Sequence, residues 1–239
     1  MRGLIPNAFT MGNLLCGCLA IMSLYEHDND PMVFIGLLIL AAFLDLFDGL
    51  FARLLGVGSE MGKQLDSLAD AVTFGIAPAL MVVELLLDDT DGNGLALGGL
   101  LLAVASIYRL AKFNVDTRQS DSFIGLPTPS NALFWIAMLG MWSEGTISVG
   151  QIPIWGWLIM IVLMSWFMIS EIPLISLKFK HLRYRGNEPR FFLIIGGIIT
   201  LSLCWILANS YFLAVPIILL LYLLISLWDR KNHQNEISR

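Results

Sequence analysis

The sequence predicts an all-α, polytopic membrane protein of about eight transmembrane helices, and three observations carry that prediction. Hydrophobic residues make up 57 % of the 239 residues and charged residues only 14 %, where an average soluble domain carries roughly 25 % charged. The mean hydropathy is +0.76, so the chain is too apolar to keep its surface in water. Finally, the charges alternate in sign from one connection to the next. These properties exclude a disordered chain, a nucleic-acid binder with a basic face and an ordinary soluble enzyme.

A membrane span needs about 20 mostly apolar residues, fewer where a helix is short. Eight stretches qualify: 9–25, 32–55, 65–87, 94–112, 131–143, 154–177, 191–208 and 212–228, the fifth being the shortest. Met1-Arg2 leads into an apolar run with no cleavage site after it, so the first span is expected to remain as a helix. With the N-terminus inside, the outer connections hold Glu26, Asp28 and Asp30, then Asp88, Asp89 and Asp91, then Glu144, then 209–211, without a Lys or Arg. All 14 basic residues then fall on the inner side or at inner helix ends. Positive charge is retained in the cytoplasm, so both termini are expected there, in the cell (inner) membrane. Cys16, Cys18 and Cys204 lie in apolar runs and read as small packing residues.

Two spans carry acid that lipid would forbid. The second contains Asp45 and Asp48, and the third Asp66 and Asp70. An Asp at mid-membrane costs about 2.5–3.5 kcal/mol, so something must compensate four of them. Asp45, Asp48, Gly49 and Ala52 share one helix face, acidic at one end and small at the other; Gly62, Asp66 and Asp70 repeat every four residues as a second stripe. The short connection between these helices makes them antiparallel neighbours. Asp45 lies about 12 Å along the axis from Arg53 at 1.5 Å per residue, so both pairs fall near the cytosolic ends. Converging carboxylates repel unless cations sit between them. A set of hard oxygens without His or Cys favours Mg²⁺, Mn²⁺ or Ca²⁺ over zinc or copper. Such ions beside a small-residue groove and an Arg suit phosphoryl-type transfer, with one carboxylate left to take a proton. The same stripe would suit a site that translocates protons or cations, and spacing alone leaves both open.

Asp45-Leu-Phe-Asp48-Gly49-Leu-Phe-Ala52-Arg53, eight residues, Gly62, three residues, Asp66, three residues and Asp70 match the signature of the CDP-alcohol phosphatidyltransferase family at every fixed position. The chain thus resembles that family. The resemblance implies a six-helix family core over residues 1–177, followed by a basic inner loop, two further helices and a short tail over 178–239. It implies transfer of a phosphatidyl group from CDP-diacylglycerol to an alcohol, with release of CMP. By the family's pattern Asp45, Asp48, Asp66 and Asp70 hold two divalent cations, Mg²⁺ or Mn²⁺ with Ca²⁺ as a further candidate, and Asp70 is also the general base. Gly49, Ala52, Arg53, Ser59 and Gly62 look like the residues that bind the CDP-lipid, Ser59 keeping a hydroxyl where Thr is common. A homodimer embedded in membrane lipid is likewise implied.

Three further stretches resemble the membrane-integral, Bacillus-type members of the family that use L-serine as acceptor. Ile5-Pro-Asn-Ala-Phe-Thr-Met-Gly-Asn-Leu-Leu-Cys-Gly17 places Asn13 where phosphatidylglycerophosphate synthases often have Arg. Capping of the first helix would account for Asn7 and Thr10 but leaves Asn13 unexplained. Tyr108-Arg-Leu-Ala-Lys-Phe-Asn114 ends the fourth span: Lys112 is open to an anchoring role, whereas Arg109 lies deeper and could hold the serine carboxylate or the lipid phosphate. Phe123-Ile-Gly-Leu-Pro-Thr-Pro-Ser-Asn-Ala132 is a stiff loop offering Thr128 and Ser130. Asn13, Arg109, Lys112, Asn114, Thr128 and Ser130 are therefore expected at the acceptor or phosphate subsite. Glycerol 3-phosphate and inositol phosphate remain alternative acceptors, and would call for several basic residues beside Asp70. Glu171 is expected inside the sixth helix, pairing with Arg109 or another cation. The run at 178–185 would meet anionic lipid, with His181 interfacial, and packing is the expected role of the last two spans. None of His27, His181 and His233 begins a His-x-Lys-x₄-Asp motif, which leaves single displacement as the expected chemistry.

Overall fold

The computed structural model describes residues 3–26, 30–89, 94–116, 122–175 and 187–237. His27, Arg118, His181 and the basic run at 178–185 lie outside the described residues. Among the described residues the fold is all-α apart from one short strand pair. Five helical stretches, Leu4–Ser23, Pro31–Leu55, Glu60–Leu87, Gly94–Val115 and Glu188–Ala208, are long and apolar enough to cross a membrane, and Ile154–Ile169 and Ala214–Asp229 are shorter apolar helices. Large apolar side chains such as Val104, Ile159, Ile198, Ile206 and Leu207 point outward, as they do when the solvent is hydrocarbon.

Helix α1 (Leu4–Ser23) runs antiparallel to α2 (Pro31–Leu55). Helix α2 starts on an Asp30 cap, whose side chain accepts from the Met32 N–H at 2.9 Å, with Pro31 in the first turn. It stops at Gly56, whose φ of 61° is the left-handed conformation that ends helices. Three residues on, Ser59 caps α3 (Glu60–Asp70) by accepting from the Gly62 N–H at 3.0 Å. The backbone then widens into one π-helical segment, Ala71–Ile76, before α4 (Ala77–Asp89). Pro78 accounts for that widening: it has no N–H to give and its ring crowds the carbonyl one turn back, so the ladder shifts register. Gly17 of α1 seats against this segment; a Cβ there would lie 2.4 Å from the Thr73 Oγ1 and 2.9 Å from the Thr73 Cα.

A short 3₁₀ stretch, Gly94–Gly99, leads into α5 (Leu100–Val115), followed by α6 (Thr128–Ser143) and α7 (Ile154–Ile169). The core lies among these helices, α1, α2 and α4, around Phe34, Leu38, Trp135 and Trp157. Two departures from expectation occur at the end of the sixth span. That helix stops at Ile169 rather than continuing to 177, because Ser170 turns extended and Pro173 cannot continue a helix. The chain then forms β2 (Pro173–Ile175), antiparallel to β1 (Ser122–Ile124), with Phe123 opposite Leu174. Glu171 therefore sits outside the helix, 65 % exposed, and of the cations open to it pairs with Lys112 at 3.0 Å. Helices α8 (Glu188–Ala208) and α9 (Ala214–Ile237) complete the chain.

Because Gly17 touches backbone, Gly17→Val is expected to cost about 1–3 kcal/mol by overpacking, lowering the thermal unfolding midpoint in detergent. Gly36→Ala, where a Cβ meets nothing within 4 Å, should leave the midpoint within error. Equal midpoints for the two variants would contradict the close approach.

Candidate active site

Helices α2 and α3 bring the two acidic stripes together as their spacing predicts. Carboxylate oxygens of Asp45, Asp48 and Asp66 lie within 4.8 Å of one another, and Asp70 follows Asp66 one turn along α3. Acidic groups this close hold together only with protons or cations between them. The donor set fits a divalent ion: Mg²⁺ bonds oxygen at about 2.0–2.1 Å and Ca²⁺ at about 2.3–2.6 Å, so one ion spans oxygens about 4–5 Å apart. Every donor is a hard oxygen, as these ions require.

A second layer holds the carboxylates in place, and most of it comes from α1. The Thr10 hydroxyl donates to Asp48 Oδ2 at 2.7 Å, and Asn13 Nδ2 donates to Asp70 Oδ1 at 3.3 Å. Asn13 is itself held by its backbone, whose carbonyl accepts from the Thr73 hydroxyl at 3.2 Å. Capping, the alternative account of Asn7 and Thr10, does not apply. Helix α1 begins at Leu4 with Gly3 as its cap residue, so both lie inside the helix and turn toward the site. Pro6, Asn7, Thr10, Asn13 and Gly17 form a polar and small stripe at helical spacing in an apolar helix, and that stripe was the available signal for Thr10.

Beside the carboxylates lies a cavity of about 230 Å³, lined by Asn7, Asp48, Gly49, Ala52, Ser59 and Gly62 among others, with Lys63 and Asp66 at its edge. Four of the five residues expected to bind the CDP-lipid thus line one space. The fifth, Arg53, is exposed and folds back, its Nε donating to the Gly49 carbonyl at 2.9 Å. Ser59 also caps α3 with the oxygen expected to meet the ligand.

The residues expected at the acceptor subsite divide into two groups. Arg109, only 7 % exposed, lies near enough to Asp70 to feel its charge. One of its terminal nitrogens donates to the buried Thr128 hydroxyl at 3.4 Å, its guanidinium stands 5.6 Å from the centre of the Phe113 ring, and its Nε is buried without a hydrogen-bond partner among the described residues. Asn13 joins this group through Asp70, leaving its own Oδ1 buried and unpartnered. Lys112 instead faces Glu171, Asn114 donates to the Ser67 hydroxyl at 2.8 Å, and Ser130 is half-buried in the first turn of α6.

Outer-layer partners of metal ligands are worth about 10–100-fold in affinity. Thr10→Val, which keeps the shape and removes the donor to Asp48, should weaken Mn²⁺ binding by about tenfold in a calorimetric titration. Unchanged affinity would mean that Thr10 does not orient a ligand.

The chain matches the family model described as CDP-alcohol phosphatidyltransferase over residues 3–179. It is 33 % identical over 185 residues to the CDP-diacylglycerol–serine O-phosphatidyltransferase of Bacillus subtilis, covering 77 % of this chain and 94 % of that one. A protein of the same name from Methanocaldococcus jannaschii is 30 % identical over 168 residues, 70 % of this chain and 72 % of its own. The Mycobacterium leprae protein of that name is 37 % identical over 145 residues, 58 % of this chain and 47 % of its own, so the match spans about half of its length. The signature carboxylates at 45, 48, 66 and 70 and the extent of the match agree: this chain belongs to the CDP-alcohol phosphatidyltransferase family.

Proposed function

We propose that the protein transfers the phosphatidyl group of CDP-diacylglycerol to L-serine, giving phosphatidylserine and CMP. The observation that carries this reading is the contiguity of the carboxylate cluster, the small-residue cavity and one buried arginine beside Asp70. Family membership supports the transfer, and the names of the relatives support serine. Transport of protons or cations has no such support.

The cavity suits the CDP end of the lipid. Gly49, Ala52 and Gly62 leave room for a close approach, and Lys63 offers a cation at the edge. When bound at Asp45, Asp48, Asp66 and Asp70, two Mg²⁺ or Mn²⁺ ions would neutralise the pyrophosphate and its leaving oxygen. Asp70 takes the proton from the serine hydroxyl. The serine oxygen bonds to the β-phosphorus, which carries the diacylglycerol, while the bond from that phosphorus to the bridging oxygen breaks and CMP leaves with the bridging oxygen. Asn13 holds one oxygen of Asp70 and so leaves the other to receive the proton. Arg109, with an unpartnered Nε, serves as the cation for the serine carboxylate.

Glycerol 3-phosphate or inositol phosphate would bring a doubly charged group and call for several cations. Among the described residues, Arg109 is the buried cation that senses Asp70, and Lys112 is engaged by Glu171. We further assign the active site and both termini to the cytoplasmic side of the cell membrane, on the segregation of basic residues, and a homodimer to the functional unit, on the family resemblance.

The test is CMP release by the purified protein with CDP-diacylglycerol and Mn²⁺, comparing serine, glycerol 3-phosphate, inositol phosphate and no acceptor. Release should require serine, stop on chelation and return with Mn²⁺ or Mg²⁺. Asp70→Asn should lower it by about 10²–10⁴-fold while retaining CDP-lipid binding. Release dependent on another acceptor would refute the serine assignment, and near-normal turnover of Asp70→Asn would refute the general base.

A further inference from the structure

Helices α8 and α9 lie beyond the family match, which ends at residue 179, and the reaction proposed above makes no use of them. Helix α9 nevertheless buries two hydroxyl side chains one turn apart, Tyr222 and Ser226. Both reach the last residue of β2. The Tyr222 hydroxyl donates to the Ile175 carbonyl at 2.9 Å, and the Ile175 N–H donates to the Ser226 hydroxyl oxygen at 3.2 Å. A two-stranded pair inside an apolar bundle leaves backbone groups of its outer edge without strand partners, and buried groups of that kind must be satisfied. Here two side chains of a separate helix satisfy both polar groups of one residue.

The strand pair so held leads back to the acceptor subsite through hydrogen bonds. Strand β2 pairs with β1. Past β1, the Gly125 N–H donates to the Ile172 carbonyl and the Leu126 N–H to the Phe167 carbonyl, each at 2.9 Å. Gly125 has a φ of 75°, and a Cβ there would stand 2.5 Å from the Met168 carbonyl oxygen, so this turn is pressed onto the end of α7 and tolerates only glycine. Two residues beyond Leu126 comes Thr128, which accepts from Arg109. At the far end of α6, the Phe212 ring covers Gly140, so the α8–α9 pair grips α6 as well as the strands.

We propose that Tyr222 and Ser226 are positioning residues for the acceptor subsite, clamping Ile175 so that the β1–β2 pair and Thr128 hold Arg109 aimed beside Asp70. The proposal rests on the reading of serine as acceptor and of Arg109 as the partner of its carboxylate. It gives the last two helices a role in recognising the acceptor, and it leaves the CDP-lipid cavity, built by α1, α2 and α3, independent of them.

The experiment is steady-state CMP release by the purified full chain with Mn²⁺, varying serine and CDP-diacylglycerol in turn. The variants are Tyr222→Phe, Ser226→Ala, the two combined, and Ser226→Thr, which keeps the hydroxyl. The combined variant should raise KM for serine about tenfold, with KM for CDP-diacylglycerol within about twofold, and Ser226→Thr should behave like the unaltered protein. Should the combined variant fail to fold, each single variant should show the same split at smaller size. If the unaltered protein releases no CMP with serine, the acceptor reading fails and takes this proposal with it. If the unaltered protein turns over with serine but the variants keep its KM, or raise both KM values in parallel, the proposal alone is overturned.

Discussion

Four carboxylates converging inside an apolar helical bundle are the constraint on which the rest of this protein depends. Hydrocarbon cannot solvate them, and their mutual repulsion would separate α2 from α3 unless positive charge stood between. The arrangement therefore makes sense as a half-built coordination sphere. The protein supplies oxygens at the spacing one hard cation can bridge, and the cation supplies what makes that spacing stable. Stability and function share a cause here, because the ions that would relieve the repulsion are also those that would bind a pyrophosphate.

The neighbouring features follow from keeping that sphere in shape. Thr10 and Asn13 each give a hydrogen bond to one carboxylate, and both come from α1. The closeness of α1 thus decides whether the acids are oriented. Gly17 permits it, by letting α1 settle on Thr73, and the π-helical segment presents Thr73 immediately after Asp70. Pro78 is a few residues farther along the same helix. A proline within the helix therefore shapes the segment that follows Asp66 and Asp70.

Much of this was legible in the sequence, because periodicity and charge report directly on burial and face. The stripes 45–48–49–52 and 62–66–70 were readable as facing surfaces, and the helices fall where apolar runs place them. Features that depend on backbone dihedrals or side-chain rotamers were not readable. Ile172, Leu174 and Ile175 continue the apolar character of α7, so hydropathy extended that helix through a segment where Pro173 opens a strand. Glu171 was consequently placed inside the helix, and of the cations open to it the partner is Lys112. Arg53 stands in the signature, yet its guanidinium bonds to its own helix, a rotamer that no spacing encodes. A hydroxyl near a helix start has two uses, so capping stayed open for Thr10, and only the true start at Leu4 distinguishes them. The long-range link from Tyr222 to Ile175 joins residues 47 positions apart, and nothing in the sequence of either segment announces it.

The central claim is that the carboxylate cluster is a divalent-cation site, and the most direct test is to count bound Mn²⁺ by electron paramagnetic resonance on the purified protein. The account predicts two tightly held ions per chain, displaced by excess Mg²⁺, with binding lost when Asp45 and Asp66 are both changed to Asn. A protein that binds no Mn²⁺, or binds it equally well without those two carboxylates, would contradict the account.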